Sequence, residues 1–200
     1  MYRRLAAVYD PWTRLTESRS LLTAVAKADI RDGESVLEVA VGTGFVFREL
    51  LRRNPSGTTV GIDLTPEMLR RTRAKAEKTR VPFSLLEGDA RKLPFADGAF
   101  DVVLSGNMLG LLSDADAVTA LREMARVLRP GGRLVLITMT CPRSLLSGWI
   151  YRLGAMRLGG WRDVHVEPLV REVGFEQVRR TVVSQLGVPS EVLVAWSDGC

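Results

Sequence analysis

The chain has 200 residues, a hydrophobic fraction of 46%, a charged fraction of 26% and a formal net charge of +5. That length suits one compact domain with a full hydrophobic core and leaves two domains cramped. Two cysteines and one histidine exclude a disulfide framework and a metal-ligand cluster, and no apolar run reaches the roughly 18 residues needed to span a bilayer.

Taken in order, the start Met1–Asp10 breaks off at Asp10-Pro11 before a signal-type apolar stretch develops, so cytoplasmic residence is expected. Residues 1–32 are expected to form an N-terminal helical cap. Strands are expected over Ser35–Val39, Thr59–Ile62, Phe83–Glu87, Phe100–Leu104 and Arg133–Thr138. Between them, helical patterns run over Phe45–Arg53, Pro66–Lys78 and Asp114–Leu128. This alternation predicts a single α/β domain over residues 1–200 with a largely parallel sheet. Thr65-Pro66-Glu67 reads as a helix start, with Thr as cap, Pro at the first position and an acid in the first turn. Leu128–Arg133 (Leu-Arg-Pro-Gly-Gly-Arg) reads as the end of one helix and a tight turn into the next strand.

After Thr140 the pattern changes. Cys141–Trp161 is apolar and aromatic, with arginines interspersed and glycines at 148, 154, 159 and 160. Val166–Val173 reads as a helix ended by Gly174. The strands Glu176–Gln185 and Glu191–Trp196, joined across Gly187–Ser190, predict an antiparallel hairpin at the sheet edge.

The basic balance, with a pI near 9.7, permits attraction to anionic partners. Its densest run, Arg70–Arg80, has a helix-favouring composition and reads as a solvated helix face. RNA or anionic lipid headgroups are the alternatives.

The most informative segment is Val36–Phe45, Val-Leu-Glu-Val-Ala-Val-Gly-Thr-Gly-Phe. An apolar strand ends on small residues that let backbone N–H groups approach a ligand. The next strand ends on Asp63, roughly 20 residues on, where nucleotide-binding folds hold ribose hydroxyls. A dinucleotide fingerprint requires a small residue three positions after Gly44. Phe47 stands there, which disfavours a pyrophosphate.

These motifs resemble those of the class I S-adenosylmethionine-dependent methyltransferases, in the right order over residues 33–140. Glu38-Val39-Ala40-Val41-Gly42-Thr43-Gly44 is similar to the family's first motif, and Asp63 to the acid that holds both ribose hydroxyls. Glu87-Gly88-Asp89-Ala90 resembles the segment that reads the adenine. Leu93-Pro94-Phe95 with Phe100–Val103 resembles the approach to the fourth strand, and Leu128–Gly132 the turn before the fifth. The resemblance implies a Rossmann-like doubly wound sheet of about seven strands, mostly parallel with an antiparallel C-terminal hairpin. It implies S-adenosyl-L-methionine as cofactor and no metal. It places Glu38, Ala40, Gly42, Thr43, Gly44, Asp63, Leu64, Met68, Gly88, Asp89, Ala90, Ser105, Gly106 and Asn107 at the cofactor. The family usually carries Gly where Ala40 stands and a small residue or Cys at Val41. Ala40 costs little at negative φ, whereas β-branched Val41 narrows the loop.

The implied reaction is in-line displacement of an electrophilic methyl, which needs alignment and exclusion of water more than a protein nucleophile. Ser105–Met108 is unlike the Asn/Asp-Pro-Pro-aromatic run of enzymes that methylate nucleic-acid amines. Tyr2-Arg3-Arg4-Leu5-Ala6-Ala7-Val8-Tyr9-Asp10 resembles the opening of the ubiquinone/menaquinone-biosynthesis methyltransferases and of bacterial phospholipid N-methyltransferases. That resemblance makes Tyr9 a candidate active-site aromatic, able to orient a nucleophile or favour a cation. His165, with a pKa range that suits a base, is the second candidate. Residues 141–165 occupy the place of a substrate-covering segment, and their mixture suits an amphiphilic acceptor or a membrane surface. The expected acceptor is a small molecule, either a quinone-type ring (C- or O-methylation) or a phospholipid headgroup (N-methylation), with peripheral membrane contact. An RNA methyltransferase and a cofactor-binding protein without turnover are the alternatives. Oligomeric state is not legible.

Overall fold

The computed structural model describes residues 17–140, 164–186 and 188–197, so Tyr9 and residues 141–163 lie outside the described part. In chain order the elements are α1 (Ser18–Lys27), β1 (Ser35–Val39), α2 (Phe45–Arg53), β2 (Thr58–Asp63), α3 (Pro66–Ala76), β3 (Ser84–Glu87), β4 (Phe100–Gly106), α4 (Asp114–Val127), β5 (Leu128–Met139), α5 (Val166–Glu172), β6 (Gln177–Gln185) and β7 (Val188–Trp196). The seven strands form one sheet in the order β3-β2-β1-β4-β5-β7-β6. The first five run parallel, while β7 lies antiparallel to both β5 and β6. The expected Rossmann-like sheet with its C-terminal hairpin is therefore present.

The central strands are apolar on both faces because helices cover both. On one face Leu37, Val39, Val103, Leu134 and Leu136 meet Leu121 and Met124 of α4 and Val170 of α5. On the other, Val36, Val102, Leu104, Val135 and Ile137 lie under Leu21, Ala24 and Val25 of α1 and Val46 and Leu50 of α2. A third cluster joins Val41, Phe47, Leu51 and Ala76. Phe47 is fully buried there and meets Phe83 edge-on at 5.9 Å. Gly61 makes that possible, since a Cβ on it would stand 2.9 Å from the Phe47 ring and 2.6 Å from Val41 Cγ1. A dinucleotide fold puts the small residue in the helix and lets the strand come close; here the strand carries the glycine and the helix carries the bulk.

Four local expectations are corrected. Thr65 makes no side-chain cap bond to α3, and its backbone N–H instead donates to Asp63 Oδ1 at 2.9 Å. α3 ends at Ala76 and tightens into a 3-10 turn over Glu77–Thr79. The Leu128–Gly132 turn belongs to β5, because Leu128 pairs with Phe100 and Arg133 already pairs with Val102, leaving the intervening residues bulged out. β7 begins at Val188, and Gln185 pairs with Val188, so the hairpin connection is shorter than Gly187–Ser190.

β1 and β4 lie side by side, with the chain leading outward in opposite directions from each. In an open α/β sheet, the crevice at the carboxyl ends of such a pair is where ligands bind. The loops leaving β1 and β4 flank that crevice.

Candidate active site

The loop after β1 is fixed by its own backbone. The N–H groups of Ala40 and Val41 both donate to the Ile62 carbonyl, at 2.8 and 3.1 Å. Bringing two consecutive amides onto one acceptor requires a sharp reversal, and Ala40 takes φ +62° to make it. The expected negative φ is thus corrected: Ala40 sits in the left-handed region, where an L-residue carries a cost of roughly 1–2 kcal/mol. Val41 does not narrow the loop. Its side chain is buried away from it, in the cluster with Phe47 and Leu51.

Gly42 and Gly44 follow at φ +53° and +79°. Gly42 donates its N–H to Asp63 Oδ2 at 2.9 Å, and its carbonyl accepts the Thr72 hydroxyl at 2.9 Å. Gly44 lies against α3, where a Cβ would stand 2.7 Å from Thr72 Cα. Among the described residues there is room above Gly42, since a Cβ there meets only the Ala40 carbonyl at 4.0 Å. Thr43 between them is buried.

Asp63 is buried and accepts one backbone N–H on each oxygen, from Gly42 and from Thr65. Its carbonyl accepts the Gly88 N–H at 3.1 Å, which draws the segment after β3 beside it. Leu64 is 66% exposed at this edge, an apolar side chain left to solvent, and Met68 is half-buried one turn into α3. Asp89 is clamped by Arg91 at 2.6 Å, and Arg91 also reaches Asp116 at 2.9 Å. The guanidinium holds the Asp89 carboxyl below the usual carboxylate range. Ala90 is half-buried against the main core.

Glu38, on β1, is 3% exposed, and its Oε2 has no hydrogen-bond partner among the described residues. Burial pushes its pKa well up, and the negative charge of Asp63 adds to the effect. At the end of β4 the Ser105 hydroxyl donates to the Val39 carbonyl at 3.0 Å, tying the two flanking strands together. Gly106 lies beneath Leu21 of α1. Asn107 then turns at φ +58° with its N–H on the Ile137 carbonyl at 2.7 Å. Its Nδ2 donates to Glu17 Oε2 at 2.6 Å, while its Oδ1 is buried without a partner among the described residues. Glu17 is 1% exposed, and burial raises its pKa to about 7 against the opposing effect of the Asn107 bond.

Hydrogen bonds therefore tie the loop after β1 to β2, through Gly42 and Asp63, and β4 to β1, through Ser105 and the Val39 carbonyl. Tyr9 lies outside the described residues. His165 is exposed just before α5 and makes no side-chain cap bond. Sequence reasoning missed Glu17 and Thr72. Neither stands in a recognisable motif, and each is set by contacts from a distant part of the chain. Among the described residues no group of three or more His, Cys, Asp or Glu is placed to hold a metal ion, and no helix is long and apolar enough to cross a membrane.

The arrangement fits S-adenosylmethionine. Among the described residues, the space over Gly42 admits a ligand against the backbone, the buried acid Asp63 ends β2, and Glu38 and Asn107 each offer an unpartnered oxygen. The methyltransferase domain family model matches residues 36–132. A demethylmenaquinone methyltransferase of Thermus thermophilus is 38% identical over 79% of this chain and 73% of its own length. One from Deinococcus radiodurans is 42% identical over 65% of this chain, which spans 53% of that relative. The fold is shared by the methyltransferase solved in complex with the Haloferax volcanii Trm112 methyltransferase activator, with a TM-score of 0.79, 21% identity and coverage of 100% of this chain and 96% of that one. The chain belongs to the class I S-adenosylmethionine-dependent methyltransferases, beside the ubiquinone/menaquinone-biosynthesis group.

Proposed function

We propose that the protein methylates a ring carbon of a demethylated quinol, with S-adenosylmethionine as methyl donor. The observation that carries this reading is the likeness to a demethylmenaquinone methyltransferase across 79% of the chain. A demethylmenaquinone lacks a ring methyl, so the acceptor atom is an aromatic carbon made nucleophilic by neighbouring hydroxyls in the reduced ring.

When bound, the cofactor supplies an electrophilic methyl on a sulfonium. Asp63 presents acceptor oxygens to its ribose hydroxyls, a task suited to a carboxylate that donates nothing. Leu64 and Met68 give the adenine an apolar surface, and Gly88–Ala90 border it. The Ala40–Gly44 loop and Glu38 receive the amino-acid end. Ser105–Asn107 line the floor where donor and acceptor meet. The contribution of the chain is alignment and desolvation, which together account for much of such a rate enhancement. A lipid-tailed quinol also calls for peripheral contact with a bilayer surface.

The test is incubation with methyl-labelled S-adenosylmethionine and chemically reduced demethylmenaquinone. Label in the quinone fraction supports the reading. Label confined to phospholipid headgroups in a membrane extract would replace it with N-methylation.

A further inference from the structure

Among the groups at the carboxyl end of β4, one titratable side chain has no role in holding the cofactor. Glu17 begins α1, which lies over β5, β6 and β7. The start of that helix is pinned at the top of β6, where the Arg19 N–H donates to Gln185 Oε1 at 2.8 Å. Across the fold, the Glu17 carboxylate meets Asn107 of the β4 loop at 2.6 Å. A helix start and a strand end, 90 positions apart, thus converge on one buried carboxylate beside the crevice.

Asn107 is held for this contact. Its backbone N–H is bound to Ile137, its φ is left-handed, and its amide gives one end to Glu17 while the other end, Oδ1, has no partner among the described residues. A purely structural Asn–Glu pair would use both ends of the amide, since an orphaned buried carbonyl costs about 1–3 kcal/mol. An open acceptor next to a carboxylate suits a hydroxyl donor such as a quinol.

We infer that Glu17 is the general base that takes the hydroxyl proton of the acceptor, with Asn107 Oδ1 as a second anchor for the ring. This rests on the quinol reading above. In the step, the quinol O–H bond breaks and its proton moves to the Glu17 carboxylate. The electron pair on oxygen conjugates through the ring, and the ring carbon forms the new C–CH₃ bond. The S–CH₃ bond breaks with its pair left on sulfur, which becomes a neutral thioether. The ring carbon then loses its own proton to solvent, aromaticity returns with the electron pair back on oxygen, and Glu17 gives that oxygen its proton back, so one proton is released and charge and atoms balance. A base whose pKa lies near the working pH is best matched to such a transfer, and burial brings Glu17 to about 7.

Among the described residues, the other charges near this face have partners or positions of their own. On the same face of the sheet lie Glu38 of β1, Arg133 of β5 held by Glu34 at 2.6 Å, and Arg179 of β6 stacked on Trp196 at 5.1 Å. α2 contributes Arg48, paired with Glu49 at 2.8 Å, and Arg19 is the charged neighbour on α1 itself.

The experiment compares wild type with Glu17→Gln and Asn107→Ala, using reduced demethylmenaquinone as acceptor and S-adenosylhomocysteine as the binding probe. Glu17→Gln should lower kcat by at least ~100-fold, the usual reach of a general base, while the Kd for S-adenosylhomocysteine stays within threefold. The rise of kcat/KM through pH 7 should vanish with it. Asn107→Ala should keep that rise but move it to higher pH, because the lost bond favoured the charged carboxylate. Independently of turnover, a carboxyl ¹³C resonance titrating near neutrality should be present in wild type and absent from Glu17→Gln. A Glu17→Gln enzyme with unchanged kcat and pH profile overturns the assignment and leaves the quinol reading standing. A wild-type protein that binds the probe and methylates no quinol overturns both, before any variant is compared.

Discussion

Asp63 accepts the backbone N–H of Gly42 at 2.9 Å, so the acid that ends β2 also holds the loop that leaves β1. One carboxylate thereby shapes the loop and presents acceptors at the same edge. Asp63→Asn replaces an acceptor oxygen with an amide NH2 donor facing an N–H. Loss of one charge-assisted bond is expected to cost about 1–3 kcal/mol. In a chain of this length that lowers Tm by roughly 2–4 °C per kcal/mol. The Kd for S-adenosylhomocysteine should rise at least ~10-fold, because a hydrogen bond to a charged group is worth ~1.5–3 kcal/mol. Thermal unfolding and calorimetry read the two effects separately.

Gly44 and Gly131 share a left-handed backbone and differ in surroundings. An added Cβ at Gly44 stands 2.7 Å from Thr72 Cα, whereas at Gly131 nothing lies within 4 Å. Gly44→Ala should therefore carry a clash as well as strain and cost about 2–4 kcal/mol. Gly131→Ala should cost only the strain, about 1–2 kcal/mol. Paired urea midpoints measure the difference, and equal losses would contradict the contact with α3.

Ala40 is the chain's departure from the usual glycine, and its φ of +62° makes it strained. Ala40→Gly removes a left-handed penalty of ~1–2 kcal/mol and adds ~0.5–1 kcal/mol of unfolded-chain entropy. The expected net is a gain of up to ~1.5 kcal/mol, read as a rise in Tm of up to ~6 °C. Cofactor affinity should hold or tighten. A loss of stability would mean that the loop does not take this reversal.

Glu17 makes stability depend on pH with a definite sign. Its folded pKa of about 7 lies above the ordinary value of 4.5. The native state therefore binds more protons than the unfolded state between those two values. The side chain's effect on stability is most favourable below about pH 4.5 and is lost as pH rises through 7. Glu17→Gln removes this dependence. The variant should be the more stable form at pH 8, by up to roughly 3 kcal/mol. The advantage should shrink towards pH 5. Tm measured from pH 5 to 8 for both proteins checks it, and parallel curves would contradict the burial of an ionisable Glu17. Glu38, raised in the same direction by burial and by Asp63, adds to the wild-type slope.

The fold was legible because its signals are local. Ser35–Val39 and Phe45–Arg53 were read with their observed bounds, since an apolar run and an amphipathic helix announce themselves within ten residues. Phe47 argues in the sequence against a pyrophosphate, but the Gly61 that makes room for its ring lies in the next strand and carries no sign of that pairing. Ala40 could not be assigned its backbone angle from sequence, because the angle is imposed by the Ile62 carbonyl. Thr65 looks like a cap and is not one, because Asp63 claims its amide. Glu17 was illegible for the same reason on a larger scale. Its burial under the packed fold raises its pKa and its bond to Asn107 opposes that rise, and neither leaves a mark near position 17.

The most direct test of the account is transfer of labelled methyl from S-adenosylmethionine to reduced demethylmenaquinone by the purified protein. The account predicts label in the quinone ring, with label lost in Asp63→Asn at limiting cofactor. Tight binding of S-adenosylhomocysteine with no label in any quinol would contradict it.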